Sequence, residues 1–489
     1  MTARPTRDQL TRARLADLPP GLIGPDFGNP GVGIVHLGLG NFHCAHQAVY
    51  TERAMAAAGG DWAICGVSLR DSAGRCAALA AQDGLYSTLE RGPDGTRATV
   101  VRSLRQALAA PSAETLLARL TDPAVRIVSL TVTEKGYCYD ARTGGLDKAH
   151  PDVVHDLAQP DTPRTVPGLL VAALRRRRDN PFTVLSCDNL MHNGAVLRRV
   201  VLDFAAAVDP ALSDWIAEAV AFPSTMVDRI VPATTDADRE EAAGLLGVED
   251  AWPVPCEPFS QWVIEDRFPL GRPAWERAGA QLVDDVLPFE QAKLRMLNGS
   301  HSAIAYLSLL GGHVTVDQAV ADPDLHRFVH AMMTDEVLPT LRMPLGFDGP
   351  AYRDALLTRF ANPQLRHKVA QISMDGSQKL PPRLLGTIAD RLQAGLPVGR
   401  LALAVAAWMR FLRGRSDAGD AIEVKDPMAD RLTTLARDAG DDDALLASLL
   451  AVAEIFPPAL AADERLQGEL RRALAALGQG ARQAVAAYA

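Results

Sequence analysis

Cysteine is scarce in this chain of 489 residues, and none of its six cysteines belongs to a Cys-x-x-Cys pair. Cys44, Cys65, Cys76, Cys138, Cys187 and Cys256 stand singly, which argues against both a thiolate zinc cage and a disulfide framework. The 11 histidines form no His-Glu-x-x-His or comparable cluster, so no metal is expected. Long apolar runs are missing too: none approaches the ~18 residues of a membrane span, and the first residues carry Arg and Asp where a secretory leader has its apolar segment. A soluble, cytoplasmic protein with no membrane partner is the expectation. Positive charge is not in excess, because the formal net charge is -9, and this argues against a nucleic-acid partner. The basic run Arg175 to Arg178 sits where a helix should end before Asp179-Asn-Pro181 and reads as a solvated helix C-terminus. No internal repeat or low-complexity linker stands out.

What remains is an ordinary globular composition, 48% hydrophobic and 22% charged, in a chain too long for one core. Two domains are expected, residues 1–285 and 286–489. Val32-Gly-Ile-Val-His-Leu37 reads as a buried strand running into Gly38-Leu-Gly40 and a helix from about His43 to Ala58. Strand, glycine turn and helix form the dinucleotide-binding arrangement: Gly38 permits the tight turn, Gly40 lets backbone approach a pyrophosphate, and the helix start contributes positive potential. His43 occupies the third position, where Gly or Ala is usual. Trp62 to Leu69 is a second strand ending at Arg70-Asp71, where a ribose-binding acid belongs, and Arg70 leaves a 2′-phosphate open.

Leu85–Glu90 and Arg97–Arg102 flank a Gly-Pro-Asp-Gly turn as a hairpin, and Ser112 caps a helix to Leu120. Val125 to Thr133 and Thr183 to Cys187 are further buried strands, separated by a helix from Val166 to Arg178. The alternation predicts an α/β fold, a doubly wound Rossmann-type domain, and the shift to Ala- and Leu-rich helical periodicity after Phe289 predicts a mainly α-helical C-terminal domain. Ligands sit outside the carboxyl ends of parallel strands, where Glu134, Lys135, Asp188 and Asn189 fall. Asn189 is a candidate amide donor to an oxyanion, or a simple turn residue; Lys135 is a candidate cation or a solvated loop charge.

The stretch Lys293-Leu-Arg-Met-Leu-Asn298-Gly-Ser-His301 carries the chemistry. At about 100° per residue Glu290, Lys293, Leu297 and His301 share a helix face, with Asn298 on its flank and Arg295 turned away. A partly desolvated Lys293 would have its amine pKa lowered towards neutrality and could exchange a proton with a hydroxyl. Asn298 could donate to a developing alkoxide, and His301 could orient a substrate hydroxyl. The same residues also fit an amphipathic helix with a solvated lysine and an Asn-Gly stop.

In order along the chain stand Gly38-x-Gly-x-Phe-His-x-Ala-His46, Leu130-Thr-Val-Thr-Glu-Lys-Gly-Tyr-Cys138, Ser186-Cys-Asp-Asn189, Met226-Val-Asp-Arg-Ile230 and Asn298-Gly-Ser-His301. With these motifs the chain resembles the mannitol dehydrogenase family of polyol-specific long-chain dehydrogenases. The resemblance implies a Rossmann-type domain binding NAD, a helical domain that closes the substrate cleft, and no metal. It places the catalytic lysine on Lys293, the paired oxyanion asparagines on Asn189 and Asn298, the substrate-orienting histidine on His301, and the glutamate that links lysine to solvent on Glu290. The cofactor set becomes Gly38, Leu39, Gly40, Asn41, Phe42, Arg70, Asp71, Glu134 and Asp228, and the substrate set Lys379, Lys135 and Arg229. Glu134-Lys-Gly-Tyr, Lys293 to Asn298 and Asp375-Gly-Ser-Gln-Lys-Leu-Pro381 resemble the fructuronate reductase (D-mannonate oxidoreductase) branch, whereas Glu257 to Trp262 and Gly271 to Trp275 resemble mannitol 2-dehydrogenases. Gln371 stands where the mannitol branch has arginine, and Cys44 where the family usually has one; Cys44 reads as a filler or as an exposed thiol near a helix N-terminus. The expected activity is reduction of D-fructuronate to D-mannonate by NADH, with mannitol 2-dehydrogenase as the alternative and a non-catalytic dinucleotide sensor as the contrasting class. A small sugar acid or polyol is the expected partner, and a monomer the expected state.

Overall fold

Val32–Leu37 (β1), Ala63–Ser68 (β2), the hairpin Tyr86–Gly92 (β3) and Gly95–Val101 (β4), Leu104–Ala109 (β5), and Ile127–Leu130 (β6) open the chain. The short pair Tyr139–Asp140 (β7) and Gly145–Leu146 (β8) follows, then Thr183–Ser186 (β9), Thr225–Asp228 (β10), Val254–Cys256 (β11), Gln261–Glu265 (β12) and Gln281–Val283 (β13). These elements come from a computed structural model that describes residues 7–70, 74–140, 142–343 and 347–489. The chain divides into two compact units, Met1–Leu287 and Pro288–Ala489.

In the first unit β5, β2, β1, β6 and β9 pair in that order, all parallel. β2, β6 and β9 are buried throughout, the mark of strands covered on both faces. Burial follows the strand period of two. Val35, Leu37, Val67, Val128 and Leu130 enter one core with helices Ala113–Leu120, Val166–Arg175 and Asn193–Val208. Ile34, Ile64, Ile127 and Leu185 enter another, with Trp262, Trp275 and the helix Gln47–Ala58. The fold is the Rossmann-type doubly wound sheet expected. β5 escapes the sequence pattern because, as an edge strand reading Leu-Arg-Gln-Ala-Leu-Ala, it neither alternates nor forms an apolar run and is only partly buried.

Three local expectations are corrected. The helix after the glycine turn is two helices, Asn41–Ala45 (α1) and Gln47–Ala58 (α2), broken at His46 with φ -122° and ψ -88°. The break lets His46 Nε2 reach the Gln261 carbonyl at 2.9 Å. The strand expected to Thr133 stops at Leu130, because a side chain from β9 captures the next amides. The basic run is also not wholly solvated: Arg177 is buried and its Nη1 donates to the carbonyls of Leu120, Asp122 and Val125 at 3.4, 3.0 and 2.6 Å.

The second unit is helical around one continuous core, with the nearly all-buried helices Gly299–Gly311 and Gly399–Phe411 at its centre. Among the described residues no helix is long and apolar enough to cross a membrane.

Candidate active site

The first unit presents its functional candidates at the point where the sheet's chain order reverses, outside the carboxyl ends of β1 and β6. Gly38 adopts φ +98°, and a Cβ there would lie 2.1 Å from the Thr131 carbonyl oxygen; only glycine fits. Its amide and that of Leu39 both donate to the Val67 carbonyl, at 2.8 and 2.9 Å, which curls the chain over β2. Gly66 makes room for the Leu39 side chain, since a Cβ would stand 2.8 Å from Leu39 Cδ1. Gly40 is extended, and a Cβ there would meet only the Gly38 oxygen, at 3.6 Å. An open glycine leading into a helix start, whose first amides lack intrahelical acceptors, fits a dinucleotide pyrophosphate. The Asn41 side chain is engaged otherwise: it donates to Thr234 at 3.0 Å and accepts from Trp252 Nε1 at 2.9 Å. Phe42 stacks on His46. Arg70 is exposed at the end of β2; Asp71 lies outside the described residues.

His43 explains why the third fingerprint position need not be Gly. It stacks on His36 at 3.5 Å between ring centroids, supplying the helix-to-strand contact itself. His36 Nδ1 lies 2.9 Å from Ser129 Oγ and Nε2 2.8 Å from Thr131 Oγ1, while Thr131 Oγ1 donates to the Gly38 carbonyl at 2.9 Å. Burial pushes the His36 imidazole down to about 3. It pushes His43 well below the usual range, helped by His36.

Asp188 is the residue that strand spacing placed here without assigning work to it. Buried after β9, it accepts from the amides of Val132 and Thr133 at 3.1 and 2.8 Å and from Tyr137 Oη at 2.7 Å. Burial raises its carboxyl pKa, opposed by the Tyr137 hydroxyl and the two amides. The loop so held contains Thr133 at φ +67° and the turn Glu134–Tyr137, with Lys135 exposed upon it; the Glu134 side chain lies outside the described residues. Strain of this kind persists only where surroundings over-determine it. Asn193 ties the same region to β10 through the Asp188 and Thr225 carbonyls at 2.9 and 2.8 Å. Asn189 follows, exposed. Asp228 is buried at the end of β10. Arg229, read as substrate-binding, is placed differently: its side chain is 1% exposed, and it donates to Glu90 Oε1 at 2.7 Å, the Ala45 carbonyl at 2.5 Å and the Glu257 carbonyl at 2.9 Å. It buttresses the α1 end.

In the second unit the lysine motif is not a plain α-helix. Leu287–Ala292 is α-helical, Lys293–Asn298 is a π-helical turn, and Gly299–Gly311 resumes the α-helix. An i→i+5 turn stacks residue 298 against residue 293, so Asn298 moves from the flank onto the lysine side. Lys293, Glu290 and His301 are all buried, which corrects the reading of a solvated lysine. Arg295 does face elsewhere, pairing with Asp390 at 2.6 Å and Thr340 at 3.0 Å. His301 packs on Phe360 and His367, with ring centroids 4.6 and 5.5 Å away, and its Nε2 has no hydrogen-bond partner among the described residues. Burial holds His301 well below the usual imidazole range, aided by His367, Arg383 and Arg359. A further π turn, Pro381–Leu385, begins with two prolines, which cannot donate to a helix ladder. It presents Arg383, whose Nη1 donates to the Asn298 carbonyl at 3.4 Å and Ser302 Oγ at 3.2 Å. Lys379, half-buried one turn earlier, lies 3.7 Å from Asp375.

All six cysteines are buried and none forms a disulfide, and burial pushes the Cys44 thiol up to about 12, so the exposed-thiol reading fails. Among the described residues no group of three His, Cys, Asp or Glu side chains could hold a metal.

The neutral imidazoles set a pH dependence. Unfolded, His36, His43 and His301 take up protons below about pH 6.5; folded, they resist. The unfolded chain therefore binds more protons there, and stability falls as pH drops from about 6.5 towards His36's lowered value. The urea midpoint should be lower at pH 5 than at pH 7, and His36→Asn should flatten that difference. Equal midpoints would mean that the imidazoles are already protonated in the fold.

A model of the mannitol dehydrogenase Rossmann domain matches residues 32–277, and one of the mannitol dehydrogenase C-terminal domain matches residues 285–478. The chain is 48% identical to "Uncharacterized oxidoreductase YeiQ" of Escherichia coli K12, over 86% of this chain and 87% of that protein. It is 46% identical to the D-mannonate oxidoreductase of the same organism, over 93% of this chain and 95% of that one. The Pseudomonas fluorescens mannitol 2-dehydrogenase, solved with NAD and D-mannitol, superposes with a TM-score of 0.84 at 41% identity, covering 98% of both chains.

Proposed function

Since the chain belongs to the mannitol dehydrogenase family, we propose that it reduces the keto group of an open-chain sugar acid, D-fructuronate to D-mannonate. It is a dehydrogenase of CH–OH groups with NAD as cofactor. The similarity that carries the finer reading is the one to D-mannonate oxidoreductase, which runs through nearly the whole of both proteins. Mannitol 2-dehydrogenase is the second reading, favoured by the equally complete match to the Pseudomonas enzyme.

Bound NADH supplies the hydride. Lys293 donates the proton that completes the reduction, and removes it in the oxidative direction. Its burial supports this role, because desolvation favours the neutral amine that must form once the proton has left. Glu290, one helical turn earlier and also buried, links the lysine to solvent. Asn298 is the amide donor to the developing alkoxide, placed beside the lysine by the π turn. Asn189 holds the partner role on the strength of the resemblance alone. Neutral His301 offers Nε2 to a substrate hydroxyl, as donor or acceptor according to tautomer. The glycine turn Gly38 to Phe42 with Asp228 holds the dinucleotide, and Arg70 and Asp71 flank its ribose. Lys379 and Lys135 remain candidates for the substrate carboxylate.

Loss of NADH absorbance, followed side by side with D-fructuronate and D-fructose at equal concentration, tests the reading. Faster turnover of fructuronate is expected. Preference for fructose would move the protein to the mannitol 2-dehydrogenase reading.

A further inference from the structure

We propose that Arg383 is the residue that binds the substrate carboxylate, with Lys379 as the second cation beside it. The proposal rests on the sugar-acid reading and names the group that enforces it.

Position comes first. The π turns Lys293–Asn298 and Pro381–Leu385 meet at Gly299, where a Cβ would lie 3.0 Å from the Arg383 carbonyl oxygen. Arg383 Nη1 reaches the Asn298 carbonyl and the Ser302 hydroxyl, one residue to either side of the Gly299–His301 stretch. The guanidinium thus stands beside the backbone of Asn298, the proposed alkoxide donor, and the side chain of Ser302, the residue that follows His301. Lys379 lies on the preceding turn, i and i+4 from Arg383, so the two cations share a face. Their segment is fixed in place by Gly376. A Cβ there would stand 2.6 Å from Tyr306 Oη and 2.5 Å from Trp408 Nε1, so the chain docks closer than any other residue allows.

Charge balance comes second. Four of the buried arginines are matched: Arg229 by Glu90 and Arg102 by Glu52, while Arg391 and Arg177 each donate to several backbone carbonyls. Among the described residues Arg383 uses only Nη1, towards neutral oxygens. Among the described residues no carboxylate lies within ion-pair distance of it, and its neighbours Lys379 and His301 feel its positive charge. Burial lowers its pKa. A half-buried cation with a free planar fork is costly unless an anion completes it, and two parallel N–H groups match a carboxylate. A neutral ketose has nothing to complete that pair. Arg295, the arginine nearest in sequence to Lys293, is already spent on Asp390.

The test is kcat/KM for D-fructuronate and D-fructose with the wild-type protein, Arg383→Gln and Arg383→Lys, with NADH affinity and melting temperature measured for each. For Arg383→Gln a loss of about 100-fold or more on fructuronate is expected, mostly in KM, with fructose turnover within about threefold. Arg383→Lys, which retains the charge and loses the fork, should fall between. It also serves if the Gln variant does not fold. An equal loss on both substrates would show that Arg383 merely supports the Asn298 turn, and no loss on fructuronate would remove it from the site; either overturns the proposal. If the wild-type protein itself prefers fructose, the sugar-acid reading fails and this inference fails with it. That outcome is read from the wild type alone and so differs from a failure confined to Arg383.

Discussion

Lys293→Ala should lower kcat by about 10²–10⁴-fold, the range contributed by a positioned acid or base, while NADH binds as tightly as before. Reduction leaves an alkoxide that must gain a proton, and water in a closed site is a poor donor at neutral pH. Lys293 begins the π turn, is buried, and stands one widened turn from Asn298. The glycine turn and the lysine belong to different units. Steady-state rates and a fluorescence titration with NADH separate the two effects. A variant that keeps a tenth of the wild-type kcat would sink the assignment, and one that loses NADH affinity in proportion would show a structural lesion.

The second large effect is expected at Gly38. An alanine there must hold φ +98° and place its methyl 2.1 Å from the Thr131 carbonyl oxygen and 2.6 Å from the carbonyl carbon. That carbonyl cannot retreat cheaply, because Thr131 is tied to His36 and to Gly38 itself. The left-handed conformation costs roughly 1–2 kcal/mol; displaced backbone brings the loss to about 2–4 kcal/mol, large among single substitutions. Gly38→Ala should melt several degrees lower and bind NADH poorly. Gly40→Ala is the control: a methyl there meets nothing closer than 3.6 Å, so melting should be unchanged while NADH affinity falls, since on the proposed reading the methyl would stand where the pyrophosphate approaches. Equal melting temperatures for the two variants would refute the distinction between a glycine needed by the fold and one needed by the ligand.

Much of this was legible in the linear chain because local patterns carried it. Strands buried on both faces read as short apolar runs. The glycine turn announced itself because a positive φ has few other solutions. The Lys293 motif stood out because an amine, an amide and an imidazole recur there at helical spacing. The errors share a cause. His46 leaves the helix to reach Gln261, Arg177 turns inward to three carbonyls, and Arg229 is consumed by Glu90, each through a partner far away in sequence. Asp188 looked like one more strand-end acid until the amides of Val132 and Thr133 were seen to converge on it. A helical wheel at 100° per residue could not register the π turn, and so left Asn298 on the flank of the Lys293 face.

By itself the sequence determined the parallel sheet, the glycine turn and the helical second unit, and it supplied the candidates for proton transfer, since periodicity and side-chain chemistry are local properties. The tertiary structure alone decided which charges are spent and which stay available. Arg229, Arg295 and Arg383 are indistinguishable as letters. Two are paired with carboxylates, and Arg383 is left with an open fork beside Asn298. Pairing depends on what packing brings within hydrogen-bond reach, and no spacing along the chain encodes that.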